Sequence, residues 1–411
     1  MTQKASGPSV TTAPHNERRR QHISIVSETF PPEINGVANT LQHLCEGLVA
    51  RGHQVSVIRP RQRGERGQAE AASSIPHQVV TGLPLPGYSE LRFGLVRPGR
   101  LVRQWRNRRP DAVYVATQGP LGVAATLAAK RLNLPVFSGF HTNFHSYSGY
   151  YGLGMFERIL RSYGRWFHNR TDLTLVPTLQ MQTATRAMGI TNTRLWSRGV
   201  DCRRFCPQRR DTSLREHWGL GPDDRAVLYV GRLAAEKNIQ LAVACFERIR
   251  GLHPGARFVL VGDGPLRRQL QERHPEYHFC GVQKGEALAR HYASGDIFLF
   301  PSKTDTFGNV VMEAMASGLG TVAFDDAAAG EHLRHDENGV KAAVDDDEAF
   351  ITHAIRLADQ PSLLNRVRSQ ARLDALDQTW DSQIEVFEQL VFNTPAKARH
   401  HGINKQSVSL F

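Results

Sequence analysis

The 411-residue sequence predicts an α/β protein built as two successive domains, each a parallel sheet covered by helices. Three observations carry this. From His22 onward, short apolar runs alternate with amphipathic stretches of helical length. The stretch Leu299 to Ala316, LFPSKTDTFGNVVMEAMA, displays the repeating unit: a buried strand ending at Phe300, a loop with Pro301, Ser302, Thr304, Asp305 and Gly308, and a helix opening at Asn309. The charged run CRRFCPQRRDTS lacks an apolar pattern, and AVLYVGRL beyond it starts a second sheet, which sets the domain boundary between 207 and 208.

Composition narrows the partners. A formal charge of +12 and a pI near 9.8 favour anionic ligands or surfaces and say nothing about fold. The 5 cysteines form no CxxC pair, so neither a disulfide framework nor a zinc ribbon is indicated and a reducing, cytosolic compartment is expected. There is no run of about 18 apolar residues, and residues 1 to 20 are polar and Arg-rich without an apolar core, which argues against a membrane span or a secretory signal. Those first residues are expected to be disordered.

In the first half, HISIVSETF reads as the opening strand, PPEING as its loop and VANTLQHLCEGLVARG as its helix. Gly36, just before the first turn, serves either a phosphate contact on backbone N–H groups or a structural turn. QVSVIRP is the next strand, and Arg61 to Ser74 a mobile loop. The following stretch, SELRFGLVRPGRLVRQWRNRRPD, interleaves arginines with Leu, Phe, Val and Trp105. That pattern suits anionic lipid headgroups, each basic residue contributing on the order of 1 kcal/mol at such a surface; the plainer alternative is a solvated basic helix face. The strand PVFSGF runs into HTNFHSYSGYYG, so His141 follows a strand's C-terminal end, where open α/β sheets bind ligands. His141 and His145 have a metal-like spacing, but no carboxylate or Cys lies nearby in sequence. Tyr147, Tyr150 and Tyr151 either line an acceptor site or pack the domain rim.

In the second half, GRLAAEKNIQ places Arg232 and Lys237 between a strand end and a helix start, an anion site with both fixed charge and backbone donors. RFVLVGDGPLRRQL begins a GxG without a third glycine, so it is a tight turn rather than a dinucleotide fingerprint. The corner Phe307, Gly308, Asn309 presents a helix N-terminus to anionic or hydroxyl-rich ligands, and Asp305 and Glu313 flank it as acceptors for neighbouring sugar hydroxyls. Asp345 to Asp347 precede a helical run and read as a cap rather than a metal motif.

Taken together, TDTFGNVVMEAMASG, GRLAAEKNIQ, FPPEINGVANT, GFHTNFHSY and the turn Arg198-Gly199-Val200-Asp201 resemble the retaining GT-B glycosyltransferases with a carboxylate-x7-Glu motif, in the branch of the bacterial lipid mannosyltransferases. The resemblance spans residues 22 to 392. It implies two Rossmann-like, doubly wound domains facing across a cleft: a tail at 1–20, an acceptor-side domain at 21–207, a nucleotide-sugar domain at 208–376, a helix at 377–395 crossing back to the first domain, and a flexible tail at 396–411. By resemblance, His141 lies beside the transferred sugar, Arg232 and Lys237 grip the donor diphosphate, Asp305 holds the sugar and Glu313 the ribose. Gly36, Phe307, Gly308 and Asn309 complete the donor site, and the catalytic set is His141, Arg232, Lys237 and Asp305. Three departures stand out: Asp305 where Glu is usual, Asn35 for a glycine, and Gly320 for a proline.

The implied reaction moves a hexose, from GDP-mannose or a UDP-sugar, to a lipid or glycan acceptor with retained anomeric configuration. Attack is on the front face, and the leaving diphosphate takes the acceptor's proton. No metal or other cofactor is expected, because two cations offset the leaving-group charge. The expected setting is cytoplasmic, on an anionic membrane surface, without nucleic acid. The rival readings are a nucleotide-sugar epimerase of the same fold and a non-catalytic basic binding protein.

Overall fold

The computed structural model describes residues 20–33, 35–62, 65, 75–85, 88–141 and 154–393. His145, Tyr147, Tyr150, Tyr151, most of the loop between Arg61 and Ser74, and the expected tails at 1–19 and from 394 onward lie outside the described residues.

The first sheet has eight strands: β1 (His22–Val26), β2 (Gln54–Pro60), β3 (His77–Leu85), β4 (Tyr88–Leu95), β5 (Ala112–Val115), β6 (Val136–Gly139), β7 (Leu173–Val176) and β8 (Thr193–Leu195). Their order is β4-β3-β2-β1-β5-β6-β7-β8. All neighbours are parallel except β3 and β4, which pair antiparallel. This corrects the all-parallel expectation: the N-terminal part of the Arg-rich stretch is an edge strand.

The second sheet has six strands: β9 (Ala226–Val230), β10 (Arg257–Val261), β11 (His278–Gly281), β12 (Ile297–Phe300), β13 (Gly320–Phe324) and β14 (Val340–Ala342), all parallel in the order β11-β10-β9-β12-β13-β14. Each sheet reverses its winding once, beside β1 and β5 in the first and beside β9 and β12 in the second. Crevices open at the carboxyl ends of strands at such points.

Alternation along the strands explains the layering. Ile23 and Ile25 face Leu41, Leu44 and Leu48 of the helix Gly36–Ala50, whereas Val26, Val113 and Val115 pack on the other face with the helices Pro98–Asn107 and Pro120–Arg131. The last helix, Trp380–Phe392, returns to the first domain, where Ile384, Phe387 and Val391 join the core of Ile23 and Leu41. Polar contacts fix its seat: Trp196 Nε1 donates to the Gln383 carbonyl at 2.9 Å, and Glu388 pairs with His53 at 2.8 Å and Arg51 at 3.1 Å.

A second correction concerns the proposed membrane anchor. In the helix Pro98–Asn107, Trp105 is 2% exposed, and Leu101 and Val102 are buried with it. The apolar residues interleaved with the arginines are the helix's inward face, as the 3.6-residue period dictates, and only the charged face meets solvent.

Candidate active site

Between the domains lies a cavity of about 790 Å³. Its C-terminal-domain wall holds Val230, Gly231 and Arg232 at the end of β9, Gln283, Lys284 and Gly285 after β11, and Asn309, Val310 and Glu313. Asn35, Gly36, Asn39, Gln42 and His43 of the first domain form the opposite wall, with Asp201 and Arg204 from the crossover. Asn35 caps the helix Gly36–Ala50, its Oδ1 accepting from Ala38 N at 2.9 Å. The residue standing where a second glycine was expected therefore fixes the helix start that carries Gly36.

The corner after β12 is shaped by its backbone. Gly308 has φ +84°, a left-handed conformation that residues with a Cβ adopt at a cost, and a Cβ there would meet the Phe300 ring at 3.1 Å. Phe307 does not face the cavity: its side chain is buried, edge-on to His332, and its carbonyl accepts from Ala328 N at 2.7 Å. Its part in the donor site is thus packing behind the corner, a correction to the expected contact. Glu313 projects from the helix Asn309–Ala316 into the cavity. Burial pushes its carboxyl up to about 7, while the Tyr292 phenol and the Arg204 charge pull the other way.

Arg232 and Lys237 play unlike parts. Arg232 is 64% exposed on the cavity wall and pairs with Glu236 at 3.2 Å. Lys237 ends a 3₁₀ turn, Ala235–Lys237, and its Nζ lies 2.9 Å from Asp305 Oδ2. The first expected sugar-holding carboxylate and the second expected diphosphate cation are thus ion-paired with each other. Thr304 tethers the same loop by donating to the Glu236 carbonyl at 3.1 Å.

A smaller cavity, about 280 Å³, opens at the reversal of the first sheet and is lined by Glu28, Thr29, Arg92, Phe93, Thr117, Gln118 and His141, among others. Glu28 is satisfied from within: its carboxylate bonds to Thr117 Oγ1 and accepts from Leu121 N at 3.0 Å, capping the helix Pro120–Arg131. Burial raises its pKa. His141 is held at both ring nitrogens, Nδ1 at 2.6 Å from Arg198 Nη2 and Nε2 at 3.1 Å from the Tyr114 hydroxyl. A Cβ on Gly139 would lie 2.3 Å from both His141 Nε2 and the Tyr114 hydroxyl, so this position admits only hydrogen.

The predicted residues therefore fall into three groups: Gly36, Arg232, Asn309 and Glu313 on the large cavity, the Lys237–Asp305 pair with Phe307 and Gly308 supporting its corner, and His141 on the small one. Sequence reasoning missed Tyr114, Arg92, Glu28 and Gln118. It quoted Arg198 only as part of a turn. The arginine's place beside a predicted site residue becomes visible only when β6 and the crossover are brought together.

Comparisons with known proteins give the family and the fold. Residues 34–204 match the family described as Glycosyltransferase Family 4, and residues 224–360 match Glycosyl transferases group 1. The chain is 33% identical over 364 residues to a GDP-mannose-dependent alpha-mannosyltransferase of Mycolicibacterium smegmatis, covering 87% of this chain and 93% of that protein. It is 24% identical over 370 residues to an alpha-monoglucosyldiacylglycerol synthase of Acholeplasma laidlawii, covering 85% and 92%. The solved structure of Anabaena HepE in complex with UDP superposes with a TM-score of 0.70 at 18% identity, over 90% of this chain and 99% of that one, which establishes the fold. Two facing α/β domains, motif residues gathered on their cleft and identity along most of the chain lead to one conclusion: this chain belongs to the family 4 glycosyltransferases, enzymes of the GT-B fold that work from a nucleotide sugar.

Proposed function

We propose that the protein transfers mannose from GDP-mannose to a membrane lipid acceptor, with retention of configuration. The observation that carries this reading is the large cavity, which brings Arg232, Asn309 and Glu313 on one wall opposite Gly36 on the other and has the volume of a small-ligand site. In this reading Glu313 accepts from the ribose hydroxyls and Gly36 meets the diphosphate from across the cleft. Asp305 and Lys237 neutralise each other until the donor arrives. A sugar hydroxyl and a phosphate oxygen then replace that contact, and Lys237 and Arg232 offset the charge that grows on the departing diphosphate. With two cations in that role, no metal is required. The separate small cavity beside His141 gives the acceptor a place of its own, which favours transfer over epimerisation.

The names of relatives support the donor and the lipid class, one using GDP-mannose and another making a glucosylated diacylglycerol. No helix among the described residues is long and apolar enough to cross a membrane, so a lipid acceptor must be met at a surface. The face suited to this lies on the helix Gly154–His168, where Ile159 is 58% and Trp166 38% exposed, with Arg158 lining the same shallow hollow and the Arg170 guanidinium 4.1 Å over the Trp166 ring. Apolar anchors ringed by arginines suit an anionic bilayer. Tyr163 of the same helix donates to the Gln118 carbonyl, and Gln118 lines the small cavity, so this face adjoins the acceptor's place.

The test is product formation. Purified protein is incubated with GDP-mannose, GDP-glucose or UDP-glucose and with anionic glycerolipid vesicles, with and without EDTA, and the lipids are read by mass spectrometry and the anomer by NMR. An α-mannolipid formed only from GDP-mannose, undiminished by EDTA, is expected. A glucolipid from UDP-glucose overturns the donor, a β-anomer overturns retention, and loss of product in EDTA overturns metal independence.

A further inference from the structure

We infer that Arg198 is a positioning residue of the transfer reaction: from the crossover between the domains, it donates to His141 Nδ1 and locks His141 as an uncharged Nε2–H imidazole on the wall of the small cavity. A guanidinium only donates, so Nδ1 at 2.6 Å must be the acceptor and carries no proton. The single ring proton of neutral His141 is then on Nε2 and points to the Tyr114 oxygen at 3.1 Å. The hydrogen bonds run in one direction, Arg198 to His141 to Tyr114, which leaves the Tyr114 O–H as the free end of the relay.

Arg198 is also out of place by ordinary electrostatics. It is 4% exposed, and among the described residues no carboxylate pairs with it; Nη1 has no hydrogen-bond partner, and its other neighbour is the Trp196 ring, 5.5 Å from the guanidinium carbon. Burying a cation without a counter-charge costs several kcal/mol, an arrangement that stability alone does not explain. What it provides is control of His141. Its neighbours Gly199 and Val200 line the large cavity, and His141 lines the small one, so the residue stands between donor and acceptor.

Of the charged and titratable groups facing His141, Arg198 repels an imidazolium and Arg92 shares the cavity, while Tyr114 and His168, whose own pKa burial lowers to about 3, are uncharged; Glu28, the one acid among the described lining residues, spends its oxygens on Thr117 and Leu121. Desolvation and the Arg198 charge hold the His141 pKa well below the usual histidine range. A proton there, as the pH falls, would have to displace the Arg198 hydrogen bond. The wild-type enzyme is therefore protected from a histidine titration in the range where an ordinary His switches, roughly pH 5 to 8.

The experiment reads the ring directly and needs only that the protein folds, so its failure is separate from any failure of the donor or acceptor assignment. In ¹⁵N-histidine-labelled protein, His141 is expected as the neutral Nε2–H tautomer throughout that pH range. In Arg198→Met it is expected to titrate nearer the ordinary value and to populate both tautomers; Arg198→Lys, which still donates, restores the wild-type signal. Turnover follows: Arg198→Met loses about tenfold near pH 8, and the loss deepens as the pH falls, a slope the wild type lacks. Tyr114→Phe is a second variant that keeps Arg198, and its tautomer is expected to stay Nε2–H. A wild-type His141 that is Nδ1–H or charged overturns the inference even if Arg198→Met does not fold. So does an Arg198→Met loss of equal size at every pH with the tautomer unchanged, which marks a merely structural arginine.

Discussion

The C-terminal wall of the large cavity and the surroundings of the small cavity are built by opposite means. On the C-terminal side the groups sit at the ends of neighbouring strands β9 and β12, each within a few residues of the helix that follows, and their charges are matched locally: Arg232 with Glu236, Lys237 with Asp305. Around the small cavity of the N-terminal domain, Glu28, Arg92, Tyr114, His141 and Arg198 come from five separate segments, and among the described residues no acid pairs with the buried Arg198. A wall of matched pairs can open to a charged donor by exchanging partners at little cost, because both members move from one polar contact to another. A wall with a fixed, unmatched charge cannot relax that way and holds one protonation pattern instead. On the proposed function, the difference gives adaptable anion binding to one domain and rigid orientation to the other.

The sharpest break in the comparison is made at Lys237. If its pairing with Asp305 is a resting contact that yields to the diphosphate, Lys237→Ala removes charge where the transition state needs it, and turnover falls roughly 100-fold, about 2.7 kcal/mol, with a much smaller change in donor affinity. Removal of Asp305 as well should be far from additive, since the two groups act as a pair. Steady-state kinetics at saturating donor, with folding checked by circular dichroism, decide the point. A Lys237→Ala enzyme as fast as the parent removes the leaving-group role.

The next effect separates the two basic faces of the N-terminal domain. With Trp105 in the core, the Arg-rich helix Pro98–Asn107 offers charge alone, whereas Gly154–His168 offers charge with exposed Ile159 and Trp166. Replacing both Ile159 and Trp166 by Ala is expected to weaken binding to anionic vesicles roughly tenfold, in line with the apolar area withdrawn from the bilayer interface. Arg100→Ala with Arg103→Ala should matter less and mostly at low salt. Vesicle co-sedimentation showing the reverse ranking would return membrane contact to the Arg-rich helix.

The same contrast explains what was legible in the sequence. The strand-turn-helix units around Arg232 and around Asp305 to Glu313 are local, so periodicity and motif spacing place the helix starts at Asn309 and just after Lys237 in their correct neighbourhoods, while the short 3₁₀ turn Ala235–Lys237 went unread. Gly36 is likewise found from its helix start. The antiparallel edge strand Tyr88–Leu95, which holds one arginine, was missed because it was read together with the Arg-rich run that follows it; the Trp105 error came from reading exposure off composition when the helical period sends that ring inward. Arg198 and Tyr114 had no local signature at all. Their function depends on β5, β6 and the crossover meeting at His141, residues separated by 27 and 57 positions along the chain.

The smallest expected effect tests whether Glu313, alone on the C-terminal wall, shares the unmatched character of the N-terminal side. Burial pushes its carboxyl up to about 7 in the folded protein, from an ordinary value of 4.5. A carboxyl with a raised folded pKa favours the folded state while protonated, so its stability contribution is fully present at low pH and is lost as the pH rises from about 4.5 through 7. Above that range the ionised group is a liability in the empty cleft, of about 1–2 kcal/mol once screening by cavity water is allowed for. Glu313→Gln removes the liability. The unliganded variant should melt a few degrees above the parent near pH 8, and the gap should close toward pH 5, because both side chains are then neutral. GDP addition should invert the order at pH 8: the parent gains melting temperature from a ribose held by its carboxylate, and the amide variant gains less. Differential scanning fluorimetry across pH with and without GDP measures all four states. Equal melting of parent and variant at every pH would place Glu313 among the matched groups and leave the unmatched character to the surroundings of His141.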